Sequence, residues 1–119
     1  MERLIDAWRN SARAFRHLSR TETAFQQELI LLVAAVPLAW VLAPSWRGYA
    51  LLIGALLVLI IVEVLNTAVE AACNAVSREF SIDIQLAKDC GSLAVLIAIV
   101  LAATAWGLAL VERLLGLPL

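Results

Sequence analysis

Glu63, Asn66, Glu70 and Asn74 follow one another at i, i+3, i+7 and i+11. At roughly 100° per residue they share one narrow stripe of a helix, so two carboxylates and two amides line a single rail. The surrounding stretch is apolar. An ionised side chain facing lipid costs about 2.5–3.5 kcal/mol on the mildest scale, so the rail must face protein, water or a ligand. The competing explanation is a polar seam that glues helices in an oligomer. A lone Asn would suit that role, since interhelical amide bonds contribute about 0.6–2 kcal/mol. Two acids with two amides on one stripe point instead to function, the default meaning of acids inside a membrane.

Further groups suited to the same chemistry lie along the chain. Glu22 and Glu28 flank the start of a first apolar stretch, Lys88-Asp89 open a third, and Ser92 follows Lys88 by one turn. Magnesium takes one or two protein carboxylates plus phosphate oxygens, and lysine neutralises phosphate as a point charge. The set suits metal-assisted phosphate handling at one membrane interface, although Lys88 and Asp89 taken singly also suit an ordinary interfacial pair. The five glycines form neither G-x-x-x-x-G-K-[ST] nor G-x-G-x-x-G, which excludes a P-loop or a protein-kinase-like nucleotide loop. Cys73 and Cys90 form no CxxC pair and read as packing residues. His17 reads as solvated surface, and Trp40, Trp46 and Trp106 as interfacial or packing aromatics.

The elements that must carry these residues follow from composition. The chain has 119 residues, 63% hydrophobic and 16% charged, against roughly 45–50% apolar and 25% charged in soluble domains. So short a chain cannot bury that excess within itself, and lipid is its natural surrounding. Cys90–Val111 runs for 22 residues without a charge, about 33 Å of helix against a bilayer core of roughly 30 Å. A second span begins near Gly48-Tyr49 and keeps helical periodicity through the rail to about Val76. The first, Leu29–Ala43, has 15 residues and contains Pro37; it reaches spanning length only if Ala24–Glu28 forms its first turn. The expected architecture is all-α: an N-terminal surface helix over 3–20 and membrane helices at about 24–43, 49–76 and 87–112, in one membrane domain covering 1–119. A tight turn at 43–48 and a polar link at 77–85 join the spans.

Seven Lys and Arg (3, 9, 13, 16, 20, 78, 88) lie on one side of these spans and two (47, 113) on the other. The positive-inside rule puts the N-terminus and the 77–88 link in the cytoplasm. With entry near Tyr49, Glu63 lies about 21 Å along the second span, and Glu70 roughly 10 Å further, near the inner interface. In the surface helix Leu4, Ile5, Trp8, Ala12, Phe15 and Leu18 share one face, and the five arginines lie mostly around the other. Such a helix lies in the headgroup plane, drawn by anionic lipid. No apolar segment precedes a cleavage site, so no removable signal peptide is indicated.

Val62-Glu63-Val64-Leu65-Asn66-Thr67-Ala68-Val69-Glu70-Ala71 resembles the signature E-[VIL]-[LI]-N-[ST]-A-[IV]-E of the small prokaryotic integral-membrane diacylglycerol kinases. Thr21-Glu22-Thr23-Ala24-Phe25-Gln26-Gln27-Glu28 and Ala87-Lys88-Asp89-Cys90-Gly91-Ser92 agree with it as well, in matching order and spacing from about Arg3 to Trp106. The resemblance implies a homotrimer of three-span subunits in the bacterial inner membrane. It implies transfer of the γ-phosphate of MgATP to the primary hydroxyl of diacylglycerol, giving phosphatidic acid, with no nucleic-acid partner. By position Glu63 corresponds to the general base, and Glu22 and Glu70 to the carboxylates that hold the nucleotide's Mg²⁺. Arg3, Asn10, Lys88 and Asp89 correspond to ATP contacts, as do Glu79, Phe80 and Ser81; Arg3, Glu63 and Ser92 border the lipid substrate. Asn66 and Asn74 are supporting polar groups. Asn74 stands where the family usually has Asp, so this position carries no charge here. Phe80-Ser81 replaces a more usual Tyr-His, which changes the side chains offered by the link.

Two alternatives stand beside this expectation. One keeps the kinase and changes the lipid to undecaprenol, also a primary alcohol; the E-T-A-F-Q-Q-E and K-D-C-G-S-L-A-V-L stretches look closer to the diacylglycerol type. The other is a small proton-coupled transporter or channel subunit with Glu63 as proton site. Small multidrug transporters, however, have four spans and an acid in the first.

Overall fold

A computed structural model describes residues 1–77, 79 and 81–116 of the chain. Arg78, counted in the charge asymmetry, and Phe80, expected as a nucleotide contact, lie outside the described residues. Four helices follow one another: α1 (Glu2–Thr21), α2 (Thr23–Leu42), α3 (Trp46–Val76) and α4 (Ile82–Leu115), with no strand among the described residues. Helices α2, α3 and α4 are each long and apolar enough to cross a membrane. In hydrocarbon every backbone polar group must be satisfied within its own segment, which is why an apolar chain of this kind resolves into helices.

A single extended residue, Glu22 (φ −104°, ψ 108°), separates α1 from α2. Packing on both sides fixes this elbow. Leu18 and Phe25 are buried, the Phe15 and Phe25 rings meet edge-on at 5.7 Å, and Gln26 Nε2 donates to the Ser19 carbonyl at 2.8 Å. Beyond it α1 touches α2 alone among the described residues, and its Leu4, Ile5, Trp8 and Phe15 are exposed. That is the geometry of a helix whose greasy face belongs to the lipid interface.

Ser45 caps α3, its Oγ accepting from the Gly48 amide at 3.3 Å. A Cβ at Gly48 would press at 3.4 Å on both Ala43 Cβ and Pro44 Cδ, so this turn is tight. At 31 and 34 residues, α3 and α4 are about 46 and 51 Å long, well beyond a hydrocarbon core of roughly 30 Å. The excess brings Glu70 and Asn74 toward one end of α3, and Lys88 and Asp89 into the early turns of α4. Three boundaries differ from expectation, α4 also ending at Leu115 rather than near 112. Helix α3 starts at Trp46 rather than near Tyr49, and α4 starts at Ile82 rather than near 87. Ile82–Gln85 thus forms a helical turn instead of part of the polar link. Ser81 holds the extended N-cap position without a side-chain cap bond, and Asp83 puts a negative charge in the first turn, which is favourable at a helix N-terminus.

Helix α3 is central, packed along α4 on one side and α2 on the other, while α2 and α4 barely meet. Small residues allow the close approach. Ala35, Ala55 and Ala102 form a buried cluster with Leu56, flanked by Leu32, Ile53, Ala105 and Trp106. Lipid tails are as apolar as leucine, so dense contact between helices, rather than burial from water, holds such a bundle. The bulky Ile30, Val33, Leu65 and Ile97 point outward. One polar bond crosses the apolar seam, from Trp106 Nε1 to the Leu52 carbonyl at 3.1 Å. Replacing Trp106 with Phe keeps most of the ring and deletes this bond, and should lower thermal stability in detergent by about 0.5–1.5 kcal/mol. An unchanged melting midpoint would show that the bond contributes nothing.

Candidate active site

The rail of α3 is built where all three membrane helices supply polar groups. Glu63, about 26 Å along α3 from Trp46, is only 8% exposed. Glu28 of α2, 9% exposed, comes close enough for the two carboxylates to repel, and one of its oxygens is buried with no hydrogen-bond partner. Glu22 at the elbow and Glu70 two turns along α3 also lie within charge-repulsion range of Glu63. Glu63 thus lies within charge-repulsion range of three further acids. Nothing in apolar packing rewards that, since each buried carboxylate costs free energy unless an opposite charge joins it.

The two amides of the rail are held differently, Asn66 within α3 and Asn74 from α4. Asn66 Nδ2 donates to Glu70 Oε1 at 3.4 Å, while Asn66 Oδ1 is buried without a partner. One step further, Lys88 Nζ donates to Asn74 Oδ1 at 3.0 Å. Because the Lys88 partner is a neutral amide, its positive charge stays uncompensated there and available to an anion. Thr67 Oγ1 bonds back to the Glu63 carbonyl at 3.0 Å, tucking that hydroxyl against its own helix.

The residues singled out from sequence divide into two groups. Glu22, Glu63, Asn66, Glu70, Asn74 and Lys88 gather along the rail. Asp89 is exposed and accepts from Gln85 at 2.8 Å, Ser92 is exposed, Glu79 is exposed, and half-buried Ser81 caps α4. Arg3 and Asn10 are exposed on α1, where Asn10 accepts from Arg13 at 3.1 Å. Since α1 meets neither α3 nor α4 among the described residues, one chain does not bring Arg3 and Asn10 to Glu63. Glu28, placed from sequence at a span edge, is buried against Glu63 instead. An acid within an otherwise apolar helix was the signal that marked it.

Among the described residues no three His, Cys, Asp or Glu side chains form a ready-made metal cluster. A nucleotide-bound magnesium needs none, because phosphate oxygens and water complete its octahedron around one or two carboxylates. Glu22 and Glu70 are both hard oxygen donors, so the donor chemistry fits.

Comparison with known proteins finds related chains. The sequence model of the prokaryotic diacylglycerol kinase family matches residues 9–110. A diacylglycerol kinase of Pseudomonas aeruginosa is 36% identical over 106 residues, covering 89% of this chain and 86% of the relative. One from Escherichia coli K12 is 38% identical over 104 residues, covering 87% and 85%. A third, from Haemophilus influenzae, is 31% identical over 104 residues, covering 87% and 88%.

The Glu28–Glu63 contact makes a stability prediction. Glu28→Gln keeps shape and removes a carboxyl buried within repulsion range of another, so the protein in detergent should gain on the order of 1 kcal/mol of stability, read as a higher thermal midpoint. A fall would show that the Glu28 carboxylate makes a stabilising bond.

Proposed function

The chain belongs to the prokaryotic diacylglycerol kinase family, and from that premise we propose that it transfers the γ-phosphate of MgATP to the primary hydroxyl of diacylglycerol, giving phosphatidic acid and ADP. The observation that carries the reading is Glu63, buried within a membrane helix with Glu22 and Glu70 close around it. Glu63 takes the proton of the lipid hydroxyl. The freed oxygen forms the new bond to the γ-phosphorus as the bond to the β–γ bridging oxygen breaks, and ADP carries away that electron pair. Phosphoryl transfer asks a protein chiefly for in-line placement and charge, and for a base at the attacking hydroxyl.

Glu22 and Glu70 would hold the nucleotide's divalent metal, Mg²⁺, which would supply positive charge against the polyphosphate. Lys88, restrained by Asn74, adds a point charge for the polyphosphate. Asp89, Glu79, Phe80 and Ser81 meet the nucleotide from the start of α4 and the link before it; Ser92 and Arg3 border the lipid. Arg3 and Asn10 cannot join Glu63 within one chain, which supports a homotrimer in which the surface helix of one subunit completes the site of another. The charge asymmetry supports a bacterial cytoplasmic membrane location with the N-terminus and the nucleotide on the cytoplasmic side. The relatives' common name favours diacylglycerol over undecaprenol as the alcohol.

Protein purified into mixed micelles should phosphorylate diacylglycerol from MgATP, and faster than undecaprenol. Glu63→Gln should reduce turnover at least 10²-fold with the oligomer intact, and a fully active variant would remove Glu63 from the role of base. Glu70→Ala should raise the Mg²⁺ concentration needed for half-maximal rate, and an unchanged Mg²⁺ dependence would remove Glu70 from the metal.

A further inference from the structure

Gly91 stands inside α4, where glycine weakens a helix relative to alanine. Its φ is not positive, since Gly116 alone has that conformation among the described residues. Space must therefore explain it. A Cβ built on Gly91 would overlap Asn66 Oδ1 and sit 3.1 Å from Asn66 Cγ, whereas Gly54 and Gly107, also inside helices, have nothing within 4 Å of theirs. The gap at Gly91 is filled by one amide.

That amide has a direction. Asn66 Nδ2 donates to Glu70 Oε1, and the oxygen end turns into the gap, buried and unpartnered. The reverse orientation would set two acceptor oxygens against each other beside Glu70. A methyl group at residue 91 would push the oxygen end out and break the amide's hold on the carboxylate. Lys88, three residues earlier on α4, bonds Asn74, eight residues after Asn66 on α3, so the two antiparallel helices are pinned in the register that keeps the gap opposite the amide.

We propose that Gly91 is a positioning residue for the kinase reaction: by lacking a side chain it admits the Asn66 amide, which aims the Glu70 carboxylate. The assignment rests on Glu70 holding the nucleotide's metal. Full-length protein in detergent, titrated with Mn²⁺ and ADP and followed by electron paramagnetic resonance, reads metal–nucleotide binding without turnover. Gly91→Ala should weaken Mn²⁺–ADP binding about tenfold, the cost of losing a hydrogen bond to a charged group. In the assay it should raise the MgATP KM and leave the diacylglycerol KM unchanged. In an Asn66→Ala background the same substitution should change neither binding nor turnover further, because the smaller side chain leaves room for the methyl. Should Gly91→Ala fail to fold, the Asn66→Ala/Gly91→Ala protein must fold and match Asn66→Ala alone. Full Mn²⁺–ADP affinity in Gly91→Ala, or an equal loss in both backgrounds, overturns the proposal. Glu70→Ala is the control. If it leaves Mn²⁺ affinity unchanged, the metal role of Glu70 fails, while turnover of the two Gly91→Ala proteins still decides whether the gap acts through Asn66.

Discussion

A carboxylate within a membrane helix has to be kept from lipid, and most of this fold can be understood as the means of doing so. Glu63 lies on the helix that both other spans pack against, and it is almost fully covered. Further acids, Glu28 from α2 and Glu22 from the elbow, lie within charge-repulsion range of it. Apolar side chains in their place would relieve the repulsion, so the arrangement stabilises something that binds rather than the empty bundle. A cation joining the cluster reverses the sign of the local electrostatics, which is how a metal–nucleotide complex can be recognised without any phosphate-cradling loop.

The helix lengths serve the same end. An α3 confined to the hydrocarbon would stop short of bringing a carboxylate to both a lipid hydroxyl and a soluble triphosphate. At about 46 Å it exceeds the core by several turns, so one helix is long enough to carry one acid within the hydrocarbon and another beyond it. Helix α4 runs beside it antiparallel and adds Lys88 at the same end. Amides rather than opposite charges meet the charged groups, Asn66 bonding Glu70 within α3 and Asn74 bonding Lys88 across to α4. Neutral partners orient the charged groups without cancelling them.

Much of this was legible in the residue pattern. The spacing of Glu63, Asn66, Glu70 and Asn74 marked the rail, and uncharged stretches marked the spans, because both depend on local periodicity. The start of α4 was placed five residues late: the alternating polar residues of Ile82–Gln85 resemble a link until the Ser81 cap and the water-exposed overhang of the helix are known. The burial of Glu28 against Glu63 depends on how α2 packs on α3, and a single sequence does not encode that in any spacing. The meaning of Gly91 was hidden for the same reason, since its partner is on another helix, 25 positions away. Arg3 and Asn10 are on a helix that meets only α2 among the described residues, so no contact within one chain ties them to the rail.

The central claim is that the rail of α3 meets the metal-bound nucleotide at its Glu70 end and the lipid at its Glu63 end. Paramagnetic broadening of ¹³C-labelled glutamate carboxylates by Mn²⁺–ADP, in protein held in lipid bilayers, tests it directly. The account predicts that the Glu70 and Glu22 resonances vanish first, that Glu63, roughly 10 Å from Glu70 along the helix, broadens less, and that Glu112 at the far end of α4 is untouched. Broadening of Glu112 with Glu22, Glu63 and Glu70 unaffected would contradict it.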